Sequence, residues 1–475
     1  RTRLYHNYSK NDYTFINRGI GNVDPNTGSI VNPLDTNHNA EFMRYGVLQE
    51  VYLKAASNHM FSAKYWGQYA ERTIPRATSY EGPDNSNLNR QSDVDHRIVA
   101  DWKHFREKSK WLLRSGFTSK DLTYTLKNKV AGLGEVASVH SESRLNSSYN
   151  KVSYTLKPER SFTIKSSIDF NYHDVNTEDT VQRTGYAKER SELSFLLALQ
   201  KSFAERLNLN LMLRQNWTDF EMQPFVPFFG FDYRLVKTEN LILKGSIARN
   251  YHQPGLNDLY WQPGGNPALE AEEGMSYELG LEYRHRFGSH HLQTELTAFY
   301  SDINNWIIWV PSYRGYWEPR NIKRVLSRGV EVYANVKGRF GKLNYKVAAN
   351  YAYTSSVNYG DPVVWGDESY GKQLVYIPLH SGNLMLNLAW KGFYLTWQHN
   401  SYSERFTTSS NDISRRDWLY PYFMNDLIVG KEFQLENLTL AAEFKIYNLF
   451  DETYHSVLYR PMPGRNYMLM LMIKI

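Results

Sequence analysis

Residues 344–354 read Asn-Tyr-Lys-Val-Ala-Ala-Asn-Tyr-Ala-Tyr-Thr. Tyr345, Val347, Ala349, Tyr351 and Tyr353 share one face; Asn344, Lys346, Asn350 and Thr354 share the other. Alternation with period two marks a β-strand whose two faces meet different surroundings. The pattern recurs along the chain. Residues 207–214 read L-N-L-N-L-M-L-R. Tyr277, Leu279, Leu281 and Tyr283 alternate with Glu278, Gly280, Glu282 and Arg284. Phe162, Ile164, Ile168, Phe170 and Tyr172 alternate with Lys165, Asp169 and Asn171, and Leu438, Leu440, Ala442, Phe444 and Ile446 with Thr439, Glu443 and Lys445. The polar face is too charged for the core of a β-sandwich. It fits a watery lumen, and the apolar face fits lipid. Aromatic residues toward strand ends (Tyr172, Tyr351, Tyr353, Trp390) fit interfacial girdles.

Working outward, the alternation predicts about 20 strands. They fall at 1–15, 41–56, 59–74, 92–108, 109–127, 138–156, 161–174, 184–204, 206–219, 225–238, 241–252, 275–287, 290–304, 320–339, 342–356, 375–391, 393–408, 419–434, 438–449 and 464–475. Short connections, such as Ser57-Asn58, Phe287-Gly288-Ser289 and Lys391-Gly392, alternate with long ones at 16–40, 75–91, 253–274, 305–319, 357–374, 409–418 and 450–463. Short turns on one side and long loops on the other predict an all-β transmembrane antiparallel barrel. The C-terminus and residue 1 fall on the short-turn side, expected to be periplasmic, with the long loops extracellular.

Composition agrees. The 475 residues include 36 Tyr and 12 Trp, yet mean hydropathy is −0.58. No run approaches the roughly 20 apolar residues that a helical span requires. The chain has no Cys, which suits passage through an oxidising compartment. A net charge of +6 without a dense Lys/Arg run argues against a nucleic-acid partner. No nucleophile elbow, phosphate-binding loop or metal-ligand spacing occurs, so neither an enzyme nor a metal site or cofactor is expected. Barrels that are lipases or proteases have only about 10–12 strands.

Several segments resemble TonB-dependent outer-membrane receptors. One runs from Arg249 through Pro254, Asp258 and Tyr260 to Asn266-Pro267-Ala268-Leu269-Glu270. A second is Asn321 to Glu331, which contains Arg328-Gly329-Val330-Glu331, and a third is Tyr376-Ile377-Pro378-Leu379-His380 with Asn383. The fourth joins Asn448-Leu449-Phe450-Asp451 to Pro463-Gly464-Arg465. The chain ends Met470-Leu471-Met472-Ile473-Lys474-Ile475 where the family carries Phe or Trp; Leu469, Leu471, Ile473 and Ile475 are expected to face lipid.

The resemblance implies a barrel of about 22 strands with an N-terminal plug. The visible pattern then reads as the barrel wall, residues 1–475, lacking the plug and the first hairpin. It implies active uptake of a scarce nutrient, best matched to a cobalamin-like corrinoid, with a ferric siderophore or haem as the alternative and a passive porin behind them. Implied partners are outer-membrane lipid, the TonB–ExbB–ExbD complex acting through the missing N-terminal part, and, in some members, a surface lipoprotein that caps the barrel. Aromatic loop residues suit a large, flat or amphipathic ligand. The candidates are Tyr251, His252, Tyr260, Trp261, Trp306, Trp309, Tyr313, Tyr316, Trp317 and Trp365, with Trp418 and Tyr420 in a further aromatic loop. Haem receptors of the family place a ligating His between the Arg-x-x-Pro and Asn-Pro-x-Leu elements; His252 lies near that place, but ahead of Pro254 and within the first element. His290 and His291 fall at a short turn and are expected to be solvated.

Overall fold

The structure, a computed structural model, describes every residue except 18–19, 76–77, 79–87, 131, 237–239, 312–315, 363–366, 414–417, 437 and 475. Among the described residues twenty long strands, with a two-residue piece at Glu221–Met222 beside the ninth, build one wall: β1 (Thr2–Ser9), β2 (Phe42–Ala56), β3 (His59–Thr73), β4 (Leu88–Phe105), β5 (Ser109–Val130), β6 (Gly134–Glu159), β7 (Phe162–Asp179), β8 (Thr184–Phe203), β9 (Leu207–Thr218), β10 (Val226–Val236), β11 (Leu241–His252), β12 (Glu272–Phe287), β13 (His290–Pro311), β14 (Trp317–Phe340), β15 (Leu343–Asn358), β16 (His380–Trp390), β17 (Phe393–Tyr402), β18 (Tyr422–Leu435), β19 (Leu438–Tyr447) and β20 (Asn466–Lys474). Each pairs antiparallel with the next. One short helix, α1 (Leu256–Tyr260), lies between β11 and β12. No described helix is long and apolar enough to cross a membrane.

The alternating residues separate as the sequence pattern predicts. On β12, Tyr277, Leu279 and Leu281 are exposed on the outside. Glu282, on the opposite face, is fully buried between Lys244 of β11 and Arg284. The short turns form where the backbone tolerates positive φ. Lys391 and Gly392, at 47° and 81°, both take left-handed conformations between β16 and β17, as a two-residue hairpin with the right-handed twist of its strands demands.

β1 and β20 are the two ends of the run, and no register pair joins them among the described residues. Outward side chains there are barer than within the wall: Leu4 is 79% exposed and Leu471 72%, against 56% for Leu279. The two ends nevertheless come together at the long-loop rim. Tyr13 Oη donates to Pro461 O at 2.8 Å, Thr78 N to Tyr459 O at 3.0 Å, and Arg460 to Pro75 O.

Three expectations change. Residues 305–319 are not a loop, because β13 and β14 continue through most of them. A bulge at Asn305 (φ 56°) shifts the register and hides that continuation from a period-two reading. Trp306, Trp309 and Trp317 therefore lie on strands. The first strand ends at Ser9, and residues 14–16 pair instead with 34–36 in a small ribbon. His290 is not simply solvated: its ring lies 4.8 Å from Phe340 and 5.3 Å from Phe287, and Nδ1 meets Tyr345 Oη at 2.8 Å.

Candidate functional site

The long-loop rim is uneven, and its unevenness makes the site. β9, β10 and β11 have 12, 11 and 12 residues, whereas β8 on one side has 20 and β13 and β14 on the other have 22 and 24. Beyond Tyr251 and His252 at the top of β11, residues 253–264 form a strap that folds over the low stretch. Their polar groups are taken up by the lumenal side of β8 and β9. Asn216 Nδ2 donates to Tyr251 Oη at 2.6 Å, Thr218 Oγ1 to Gln253 Oε1 at 2.7 Å, and Arg190 Nη1 to Pro254 O at 3.1 Å. Tyr186 Oη donates to Asn257, and Lys188 Nζ stands 4.5 Å over the Tyr260 ring.

Beneath the strap is a polar recess of ≈ 550 Å³, lined in part by Lys151, Arg190, Glu192, Arg214, Tyr251 and His252. Lys151 pairs with Asp169 at 2.6 Å, and His173 Nε2 lies 3.8 Å from Glu192. Arg214 has no ion pair among the described residues. The recess can hold a polar ligand group, with a bias toward an anion.

The far side of the strap is pinned to the tall hairpin. Asp258 accepts Gly255 N–H at 2.9 Å and the Trp309 indole N–H at 3.0 Å. Asn266 Nδ2 donates to Pro319 O at 3.2 Å while its Oδ1 accepts from Ala268 N at 3.0 Å; Glu270 N donates to Asn321 Oδ1 at 2.7 Å. Tyr316 reaches Gly264 on the strap. Pro267 follows Asn266 in the same turn.

A second recess, of ≈ 590 Å³, opens on the opposite part of the rim. Its walls include Trp418, Tyr420, Tyr422, Tyr454, His455 and Tyr459. Trp418 and Tyr420 lie 4.5 Å apart, and Tyr422 and Tyr454 5.0 Å. Behind it Arg405 is buried. Its guanidinium lies 5.0 Å over Tyr422 and donates to His455 O at 2.8 Å and Ser456 O at 3.3 Å. Burial holds that guanidinium below its ordinary pKa and pushes the Tyr454 phenol up. Aromatic walls with a few polar edges suit a large ligand with flat apolar faces.

The structure thus brings Tyr251 and His252 together at the first recess, places Tyr260 against Lys188 and Tyr186 instead, and ties Trp309 to the strap. Trp306 sits beside the bulge on β13. Trp261 and Trp317 are exposed, at 41% and 58%. Tyr313 and Trp365 lie outside the described residues. In the second recess, sequence reading found Trp418 and Tyr420 but missed Tyr422, Tyr454, His455 and Tyr459. These come from segments far apart in the chain; the only signal was the Tyr density at 418–422 and 454–459.

The resemblance-bearing motifs act as braces. Asn448, 1% exposed with φ 52°, exchanges hydrogen bonds with Glu452 (2.8 and 2.7 Å) and reaches Pro463 O at 3.4 Å. Leu449 N donates to Asn425 O at 2.6 Å, and Arg465 N to Asp451 Oδ1 at 2.7 Å. A Cβ on Gly464 would stand 2.6 Å from that same Asp451 oxygen. Phe450 projects outward, 69% exposed. At Gly329 a Cβ would collide with Tyr353 O and approach Phe299 to 2.7 Å. Glu331 faces a small lumenal recess with Tyr333 and Asn350. Arg249 pairs with Glu273 at 2.6 Å, and Arg328 points outward.

Amphipathic antiparallel strands in one curved wall, with a charged inner face, short turns at one end and aromatic recesses at the other, define a transmembrane β-barrel of the outer-membrane class. The chain belongs to the TonB-dependent receptors: the family described as "TonB dependent receptor-like, beta-barrel" matches residues 4–449. A "Vitamin B12 transporter BtuB" from Photobacterium profundum is 28% identical over 223 residues, 46% of this chain and 32% of that protein. Its counterpart from Vibrio vulnificus is 26% identical over 219 residues, 44% of this chain and 30% of that protein. The chain spans about a third of the length of these curated relatives. Among solved structures, the ferric enterobactin receptor PfeA of Pseudomonas aeruginosa superposes with a TM-score of 0.74 at 17% identity, covering 99% of this chain and 75% of that one. The copper transporter OprC gives 0.71 at 13%, covering 98% and 74%. Both show the shared fold.

Proposed function

We propose that this chain forms the wall of an outer-membrane importer driven through TonB–ExbB–ExbD, and that its cargo is a corrinoid of the cobalamin type. The observation that carries the reading is the aromatic recess at the long-loop rim, set above a charged lumen. The rim captures a bulky ligand, and the lumen conducts it once a gate opens. The long loops then face the cell exterior and the short turns the periplasm. An open polar lumen of this width would leak, so the reading includes a plug domain. It also includes a further hairpin that completes the wall along the bare edges of β1 and β20. A lipoprotein cap over the rim fits the same geometry. The partial similarity to two vitamin B12 transporters supports the corrinoid.

A second reading, an anionic ferric chelate, is favoured by one specific feature: Arg214 and Arg190 in the polar recess. Haem is the weaker version, resting on exposed His252. The test is binding of cyanocobalamin and of ferric siderophores to the purified full-length receptor. Cyanocobalamin bound at micromolar concentration or below, and lost on Trp418→Ala, is the expected result. No corrinoid binding with tight siderophore binding overturns the cargo. Ligand-independent conductance in bilayers, with uptake indifferent to the proton gradient, overturns the importer.

A further inference from the structure

The outer face of the hairpin β5–β6 departs from the rest of the wall. From the short-turn end upward, the outward residues of β5 are Trp111, Leu113, Ser115, Phe117, Ser119 and Asp121. The register sets them opposite Tyr154, Val152, Asn150, Ser148, Asn146 and Arg144 of β6, in that order. The alternate residues of β5 face the lumen, where Arg114 pairs with Asp101 at 2.5 Å and Lys120 stands 3.4 Å from Asp93, both on β4. Trp111 and Asp121 are ten residues apart on a tilted strand. That separation spans the roughly 25 Å apolar band of an outer-membrane barrel. The Trp111 and Tyr154 rings, 4.5 Å apart, mark its lower edge, and the Arg144–Asp121 ion pair, at 2.6 Å, its upper edge. Ser115 and Asn150 lie midway between them.

The middle of a lipid-facing surface is expected to be apolar, and on β12–β14 it is: Leu279, Leu281, Leu296, Val330 and Val332 stand there. On β5–β6 the same level carries two Ser–Asn pairs. Ser115 Oγ donates to Asn150 Oδ1 at 2.8 Å, and Ser119 Oγ to Asn146 Oδ1 at 2.8 Å. Each Asn thereby uses its carbonyl, and its amide N–H groups have no acceptor among the described residues. Acyl chains offer no acceptor either. A donor left unsatisfied in hydrocarbon costs several kcal/mol, so this face is incomplete in lipid alone.

We propose that the outer face of β5–β6 is the seam of a two-fold homodimer within the membrane. Two copies inserted the same way round are related by an axis along the membrane normal, and such an interface must be self-complementary. With the axis in front of this hairpin, β5 of one copy faces β6 of the other at matching height. Asp121 then meets the partner's Arg144, and Arg144 the partner's Asp121. Ser115 and Ser119 meet the partner's Asn150 and Asn146, so each free amide finds a hydroxyl oxygen across the seam. Exposed Phe117 meets the partner's Ser148, the smallest outward residue on that stretch of β6, and its ring fills the gap. Charge, hydrogen bonding and shape all match under one operation. A lipid chain would cover Leu113, Phe117 and Val152 but leave the amides and the ion pair unanswered. This inference rests on the chain crossing a bilayer through its strands, and not on the identity of the cargo.

The test is disulfide trapping in isolated outer membranes from cells that co-produce two differently tagged copies of the full-length receptor. One copy carries Ser115→Cys and the other Asn150→Cys; residues 1–475 contain no other Cys. Heat-dependent gel mobility reports that each variant is folded. Under mild oxidation this pair is expected to give a two-tag dimer at least roughly fivefold above a pair carrying Leu279→Cys on β12, whose face is apolar. Asp121→Arg in both copies sets like charges together across the seam and should reduce trapping at least roughly fivefold. Adding Arg144→Asp to both restores the complementarity and should return trapping to within about twofold of the starting level. Trapping no greater than at Leu279 overturns the proposal. So does a folded Asp121→Arg barrel that dimerises as before, or a double reversal that fails to restore the dimer. Co-purification of a different membrane protein through this face, with no two-tag dimer, overturns it too and assigns the seam to another partner.

Discussion

Two neighbouring parts of the rim solve the same problem in opposite ways. The tall hairpin β13–β14 rises by extending its ladder, so backbone hydrogen bonds are satisfied within the hairpin as far as Pro311 and Trp317. The low stretch β9–β11 stops early and is covered by the strap, which has almost no ladder of its own. Apart from the single turn of α1, its groups are satisfied one at a time by Asn216, Thr218, Arg190 and Asp258. Height built from ladder is redundant, and cover built from single side chains is not. Substitutions should therefore act locally and strongly in the strap and weakly in the hairpin.

The largest effect is expected where the two parts meet in the wall. Glu282 is fully buried and holds Lys244 of β11 and Arg284 of β12. Glu282→Ala should cost about 2 kcal/mol in reversible urea unfolding, toward the low end for a broken buried pair because both cations remain partly in water. A change under about 0.5 kcal/mol would mean that Glu295, also near Lys244 at 3.3 Å, takes over its role. Next, Asp258→Ala removes acceptors from Gly255 N and the Trp309 indole together. Hydrogen exchange in 253–261 should rise by one to two orders of magnitude, about 1.5–2.5 kcal/mol for two linked hydrogen bonds. Exchange in β13–β14 should stay as it was; equal acceleration there would break the contrast.

Tyr251→Phe deletes one acceptor, for Asn216. It should raise exchange in the strap about fivefold, near 1 kcal/mol, with the barrel intact. Trp317→Ala at the hairpin tip should leave unfolding within about 0.5 kcal/mol of wild type, since the ring is 58% exposed. Stability loss there comparable to that of Asp258→Ala would show that the hairpin, too, hangs on single side chains.

The sequence made the wall legible because each strand has two unlike faces, and two unlike faces write period two. All twenty predicted segments have a counterpart, with ends that drift where polarity does not change. The pattern failed at Asn305, since one inserted residue moves every later side chain to the other face. It failed at His290 because a turn position carries no record of the Phe340 and Tyr345 rings on the next two strands. The aromatic recess was half legible: Trp418 and Tyr420 advertise themselves within one loop, while Tyr454 and Tyr459 join them only through the fold. The motif residues were visible as a family likeness, but their work as braces was not. A hydrogen bond such as Asn266 to Pro319 spans 53 residues and leaves no local trace.

The height of β13–β14 also has a kinetic meaning. An arm that projects past the girdle with Trp306, Trp309 and Trp317 along it is met by a diffusing ligand before the recesses are. Contacts made there enlarge the target and act on the rate of arrival. Contacts inside the recesses act on the time of residence. The importer proposed above would need both, and in this molecule they belong to different stretches of chain, so each can be altered without the other.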